Sequence, residues 1–231
     1  MHHHHHEEHL ESSDFIKDVV IGISDGLTVP FALAAGLSSA VDSNALIITA
    51  GIAEIAAGAI AMGLGGYLSG QTEVHHYQAE LQREYWEIEH KREAEIKEVK
   101  DIFLAMGLSN SVAEAATQEL IQDDKKWVDF MMKHELGMDE PDEKRASKSA
   151  FNIGISYVAG SIIPLTAYFF TATPYEGLFY SAIMTLFCLF IFGYYRSKMT
   201  GQPLLAGALK TTIIGAIAAA TAYFVAKAFG A

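Results

Sequence analysis

Five long stretches of this chain carry almost no charge, and that segregation limits its fold more than any other feature. Between Asp18 and Asp42 the only charged residue is Asp25, and between Asp42 and Glu73 the only one is Glu54. Ser149 to Tyr175 and Gly177 to Tyr195 hold none, and Met199 to Ala226 holds only Lys210. Each stretch meets or approaches the roughly 20 apolar residues that cross a bilayer as a helix. No water reaches the peptide groups there, so the backbone must bond to itself, as a helix does within one segment. The mean hydropathy of +0.20 hides the pattern, because the charged 19% of the chain is collected elsewhere. A soluble enzyme, a secreted disulfide scaffold and a nucleic-acid binder with a basic face are excluded. The expected fold is an all-α membrane protein with five transmembrane helices.

The spans are expected at roughly 15–41, 44–70, 149–172, 175–195 and 203–228, with a hydrophilic insert between the second and third. Four regions follow: an N-terminal tail 1–14, spans one and two in 15–70, the insert 71–148, and spans three to five in 149–231. His2 to His6 read as an affinity tag or its remnant and are set aside. The one cysteine, Cys188, lies in an apolar stretch, which leaves no disulfide within the chain and no cysteine metal cluster. A net charge of −12 disfavours nucleic acid and points towards cations. Of the 16 Lys and Arg residues, all but Lys227 fall on one side of the five-span arrangement. The positive-inside rule then puts the N-terminus and the insert in the cytosol and the C-terminus in a lumen or outside.

The insert reads as three helices. Gln71 to Met106 has no Gly or Pro and is dense in good helix formers, which predicts one continuous helix leaving the membrane. Gly107 suits its stop. Ser109 or Ser111 caps a second helix, with Glu114 completing a capping box after Ser111. Asp123 and Asp124 open a third, Lys125 to Leu136, closed at Gly137. A unit of about 70 residues has a small core and needs help from metal or a partner chain.

At about 100° per residue, Glu84, Glu87, Glu95 and Glu98 share one face of the long helix, and Glu73 and Glu80 lie on the same stripe. Like charges at this spacing repel, so the stripe is either a cation site or a solvated acidic face. On the third helix Met131 and Glu135 are one turn apart, with His134 nearby. Carboxylates alone suit Mg²⁺ or Ca²⁺; a thioether beside them favours a softer ion such as Fe²⁺ and admits Zn²⁺. Met131 also reads as ordinary core packing. Glu73 to His76 and Glu87 to His90 spell Glu-x-x-His twice, but both fall on one helix, whereas di-iron bundles take one from each of two. A di-iron oxidase would therefore have to form across a dimer.

Acids inside the spans carry more weight, because an ionisable residue in hydrocarbon costs several kcal/mol and marks function by default. Asp25 lies in Ile23-Ser24-Asp25-Gly26-Leu27-Thr28-Val29-Pro30-Phe31, where Gly26 and Pro30 suggest a helix break beside a watery path. Capping a half-helix at the interface is the plainer role for Asp25. On span two, Glu54, Gly58 and Met62 recur every four residues, so one face carries a carboxylate, a gap and a thioether. Gly51, Gly58 and Gly65, and Ala57, Ala61 and Gly65, form small-residue faces that allow close helix approach, between protomers or within one. Five helices are few to enclose a polar route, so a homodimer with its pathway between protomers is the economical arrangement.

The Asp25 segment, together with Gly51-Ile52-Ala53-Glu54 through Ala61-Met62-Gly63 to Tyr67-Leu68-Ser69, resembles the vacuolar iron transporter family, most closely its plant members. The glutamate-rich insert, Phe130-Met131-Met132-Lys133-His134-Glu135-Leu136-Gly137, and Gly160 with Pro164 extend the likeness over nearly all of the chain after residue 14. The resemblance implies a homodimer in the vacuolar membrane that moves Fe²⁺, and Mn²⁺ with it, from cytosol to vacuole in exchange for protons. Zn²⁺, Co²⁺ and Ni²⁺ are further candidate ions. It implies that Asp25, Glu54 and Met62 line the intramembrane pathway and that Glu84, Glu87, Glu95, Glu98, Met131 and Glu135 bind metal in a cytosolic domain. Two alternatives are a membrane-anchored metal sensor or buffer, against which the buried acids argue, and the di-iron oxidase.

Overall fold

The computed structural model describes residues 8–229, with side chains from Asp14 onward; the His2–His6 run lies outside them. Among the described residues there are eight α-helices and no strand. They are α1 (Glu8–Ala40), α2 (Asn44–His90), α3 (Arg92–Ala105), α4 (Asn110–Leu120), α5 (Asp124–His134), α6 (Arg145–Thr166), α7 (Pro174–Met199) and α8 (Leu204–Phe229). A short 3₁₀ turn, Ala167–Phe169, extends α6. The helices α1, α2, α6, α7 and α8 are each long and apolar enough to span a bilayer. Two compact units divide the chain: Ser69–Arg145, and the remainder on either side of it.

The membrane-type unit keeps its outward surface apolar. Ile52, Ile60 and Leu64 on α2, Phe151 and Ile155 on α6, Phe187 on α7 and Ile217 and Phe224 on α8 are all more than half exposed. A water-soluble chain does not present such a continuous apolar surface. Inside, α1 and α6 cross at glycines. A Cβ on Gly160 would stand 2.9 Å from the Ile23 carbonyl oxygen and 3.2 Å from the Gly26 carbonyl carbon. A Cβ on Gly22 would meet the Ser156 Cβ at 2.6 Å. Only hydrogen at these positions lets the two backbones touch. Gly26 is therefore a packing notch, and the expected break is absent: α1 continues through it and through Pro30. Proline costs that helix one internal hydrogen bond without ending it.

The small residues of α2 divide by role. A Cβ on Gly51 would run into the Leu165 side chain, and one on Gly58 into the Tyr157 ring, so both are intraprotomer packing positions. Gly65 has nothing within 4 Å, and Ala57 and Ala61 on the same face are exposed. Only 11% of the apolar stretch of α2 is buried, against 44% in α1 and α6.

The second unit departs from the single long helix expected over Gln71 to Met106. The helix ends at His90, Lys91 leaves helical geometry (φ −125°, ψ 27°), and α3 restarts at Arg92. The break allows Ile88 of α2 and Val99 of α3 to enter one core with Trp127, Val128, Met131 and Met132 of α5. Burial of that cluster overrides the helix propensity of the residues around Lys91. Gly107 (φ +93°) ends the α3 turn and Gly137 (φ +63°) follows α5, both in the left-handed region that glycine adopts without strain. Ser109 precedes α4 but makes no side-chain cap, and Glu114 pairs with Lys100 at 2.7 Å, so no capping box forms. Asp123 does cap α5, accepting from the Lys126 N–H at 3.2 Å.

Candidate metal centres

The fold-back at Lys91 is what assembles the acidic centre of the second unit. On an unbroken helix, Glu84 and Glu95 would stand about 16 Å apart along the axis. Instead, one carboxylate oxygen from each of Glu84, Glu95 and Glu135 lies within 4.8 Å of the other two. Glu84 comes from the end of α2, Glu95 from the first turn of α3, and Glu135 from the residue capping the C-terminus of α5. Glu135 is held there by its N–H donating to the Met131 carbonyl at 2.9 Å.

This centre carries uncompensated charge. Glu84 is 1% exposed and Glu95 4%, and an oxygen of each is buried without a hydrogen-bond donor. Desolvation, then repulsion from Glu135, Glu95 and Glu87, pushes the Glu84 carboxyl up to about 7. Desolvation, then Glu98, Glu87 and Glu135, lifts Glu95 to about 7 as well. Glu135 is exposed at the rim of the cluster, and its carboxyl is raised by partial desolvation and then by Glu98 and Glu87. Carboxylates crowded together this way, two of them buried, give up protons reluctantly unless a cation replaces them. Three oxygen donors at this spacing suit a divalent ion.

The other expected ligands occupy graded positions around the cluster. Glu87 is half-buried and tethered by the Lys91 ammonium at 2.8 Å, while Glu98 is exposed. Met131 is wholly buried in the same apolar core as Trp127 and Met132. Glu80 pairs with Arg83 at 3.0 Å, and Glu73 is exposed, so the outer part of the expected stripe stays outside the three-carboxylate group. His90 stacks on Trp86 with ring centroids 4.6 Å apart, its Nδ1 2.9 Å from the Trp86 carbonyl oxygen. His134 is exposed and packs on Phe130. Neither histidine joins the carboxylates of a di-iron arrangement.

In the membrane-type unit, Asp25 and Met62 are half-buried on α1 and α2. The Tyr157 hydroxyl of α6 donates to one Glu54 oxygen, and the other Glu54 oxygen is buried without a donor. Gly58, one turn after Glu54, leaves the space that the Tyr157 ring fills. On the other side of that tyrosine, Gly26 packs against its backbone carbonyl, so Tyr157 joins the neighbourhood of Asp25 to that of Glu54. Sequence reasoning missed Tyr157, although a tyrosine in a charge-free span signals a hydroxyl that needs a partner. It also missed Asp18, which is 1% exposed and accepts from Ser149 Oγ at 3.0 Å and Asn152 Nδ2 at 3.3 Å.

Comparison with known proteins finds relatives over almost the whole chain. A sequence model of the VIT family matches residues 16–227. "Vacuolar iron transporter 1" of Tulipa gesneriana is 46% identical over 221 residues, covering 96% of this chain and 90% of its own. "Vacuolar iron transporter 1" of Oryza sativa subsp. japonica is 47% identical, covering 98% and 90%. "Protein CCC1" of Saccharomyces cerevisiae is 39% identical, covering 93% of this chain and 69% of its own.

Proposed function

The chain belongs to the VIT family, and on that premise we propose that it carries Fe²⁺ from the cytosol into the vacuole in exchange for protons, with Mn²⁺ as a second cargo. Relatives nearly half identical over almost the whole chain are named as vacuolar iron transporters, and none of those names is an enzyme's. The observation that carries the reading is the pair of acids, Asp25 and Glu54, held within apolar spans on either side of Tyr157. A tether for a metal sensor needs no buried acids, and hydrocarbon penalises them.

Proton exchange follows from the chemistry of those acids. A carboxylate in a low-dielectric span is stable either protonated or beside a cation, so arrival of metal displaces a proton and departure readmits one. Asp25, Glu54 and Met62 are the proposed pathway ligands. Glu84, Glu95 and Glu135, with Glu87 and Glu98 around them, collect the ion on the cytosolic side. Met131 supports that centre from its core and supplies its soft donor. The excess of Lys and Arg on the insert side supports a cytosolic N-terminus and insert and a lumenal C-terminus. The uncovered Ala57, Ala61 and Gly65 face of α2 supports a homodimer joined along that helix. Fe²⁺ uptake into liposomes containing the protein, measured with and without an acidic interior, tests the proposal. Uptake accelerated by the gradient is expected; its absence under both conditions would refute transport, and indifference to the gradient would refute exchange.

A further inference from the structure

The membrane-type unit also holds a cavity of the opposite charge. It measures about 140 Å³ and is lined by Ser24 and Thr28 of α1, Arg196 of α7, and Lys210, Thr211 and Ile214 of α8. Lys210 is the only charge between Met199 and Ala226, and a lone cation six residues into a span needs a reason. Neither Arg196 nor Lys210 forms a side-chain ion pair or hydrogen bond with a described residue, so two cations share one cavity without a carboxylate.

Of the three hydroxyls around them, only that of Ser24 is free to donate to an anion. Thr28 donates to the Ser24 carbonyl at 2.8 Å and Thr211 to the Gly207 carbonyl at 3.0 Å, which leaves their oxygens free to receive Arg or Lys N–H groups. The Ser24 hydroxyl has no partner among the described residues and remains available as a donor. Ile214, 54% exposed, forms an apolar edge towards the lipid-facing surface. A guanidinium fork, an ammonium and a hydroxyl match a tetrahedral oxyanion. Basic pockets between spans at the cytosolic edge are where phosphorylated headgroups bind. The orientation proposed above puts this cavity at that edge.

We propose that the cavity between α1, α7 and α8 binds a phosphate group, with Arg196 and Lys210 supplying the charge and Ser24 a hydroxyl donor. The full chain in neutral detergent is titrated with a short-chain phosphatidylinositol phosphate, with inorganic phosphate, and with short-chain phosphatidylcholine as the neutral comparison. Intact-mass spectrometry counts the bound molecules. Saturable binding of one phosphoinositide in preference to inorganic phosphate identifies a lipid headgroup. Equal binding of the two identifies the free anion. Arg196→Gln and Lys210→Gln should each weaken binding about tenfold, the worth of one charge-assisted hydrogen bond. Arg196→Lys, which keeps the charge and loses the fork, should recover part of it. Lys198→Gln, exposed at the same end of α7 but outside the cavity, should bind like the unaltered chain. No preference for either phosphate probe over phosphatidylcholine would overturn the proposal. So would equal losses in Lys198→Gln and the cavity variants, which would mean general surface charge. Binding is read without transport, so a failure here leaves the transport proposal standing.

Discussion

Replacing Glu84 by Gln should make the metal-free chain more stable at alkaline pH and weaken its hold on Fe²⁺. Glu84 is buried, and its carboxyl is raised from 4.5 to about 7. Ionising it in the folded unit therefore costs about 3 kcal/mol more than in the unfolded chain, at about 1.4 kcal/mol per tenfold. Because the folded value lies above the unfolded one, the folded unit binds the proton more tightly. Its stability is greatest below about 4.5, falls as pH rises through 4.5 to 7, and stays low beyond that. Gln keeps the shape without the charge and escapes the loss. Its amide must still find partners among Glu95 and Glu135, so the net gain at pH 8 should be about 1–3 kcal/mol. Hydrogen exchange of the α3 and α5 amides in the full chain, with chelator present, reads that gain as roughly tenfold or more extra protection. At pH 5 the two proteins should converge. Saturating Fe²⁺ at pH 8 should reverse their order, because only the unaltered centre keeps all three carboxylates. Exchange in Glu84→Gln equal to or faster than in the unaltered chain, at pH 8 without metal, would refute the reasoning.

Asp25→Asn keeps size but deletes the charge, so a folded chain with no Fe²⁺ transport at any concentration is expected in a vesicle uptake assay; near-normal transport would remove Asp25 from the pathway. Glu54→Gln cannot change protonation state and should flatten the dependence of Fe²⁺ uptake on lumenal pH, read from initial rates over a pH series. Met131 is wholly buried, so Met131→Ala should cost about 2–5 kcal/mol in the second unit. Met131→Leu, which conserves volume, is the variant for selectivity and should lower the preference for Fe²⁺ over Mg²⁺ in competition binding while hydrogen exchange stays close to that of the unaltered chain.

The spans were legible because hydrocarbon expels charge, and the stretches emptied of all but Asp25, Glu54 and Lys210 mark the helices. The acidic residues that meet were legible too, but for an incomplete reason. Glu84 and Glu95 share a helical phase, yet phase alone would leave them about three turns apart. They meet because the chain folds back at Lys91. That break has no local signature, since Glu89, Lys91, Arg92 and Ala94 all favour helix, and it is decided by the burial of Ile88 and Val99 against Trp127. Gly26 misled for the opposite reason. Glycine before a proline reads as a break, and here it is the only side chain small enough to let α6 pass. The partner of Tyr157 was out of reach, because Glu54 lies 103 residues away.

Simultaneous recording of Fe²⁺ entering and protons leaving the same acid-loaded vesicles tests the central proposal most directly, with the unaltered chain, Asp25→Asn and Glu54→Gln compared at equal protein content. The account predicts that the two fluxes in the unaltered chain rise and fall together at a fixed ratio. Both should vanish in Asp25→Asn, and Glu54→Gln should lose the proton flux more than the metal flux. Metal entry without proton exit in the unaltered chain, or undiminished paired fluxes in Asp25→Asn, would contradict it.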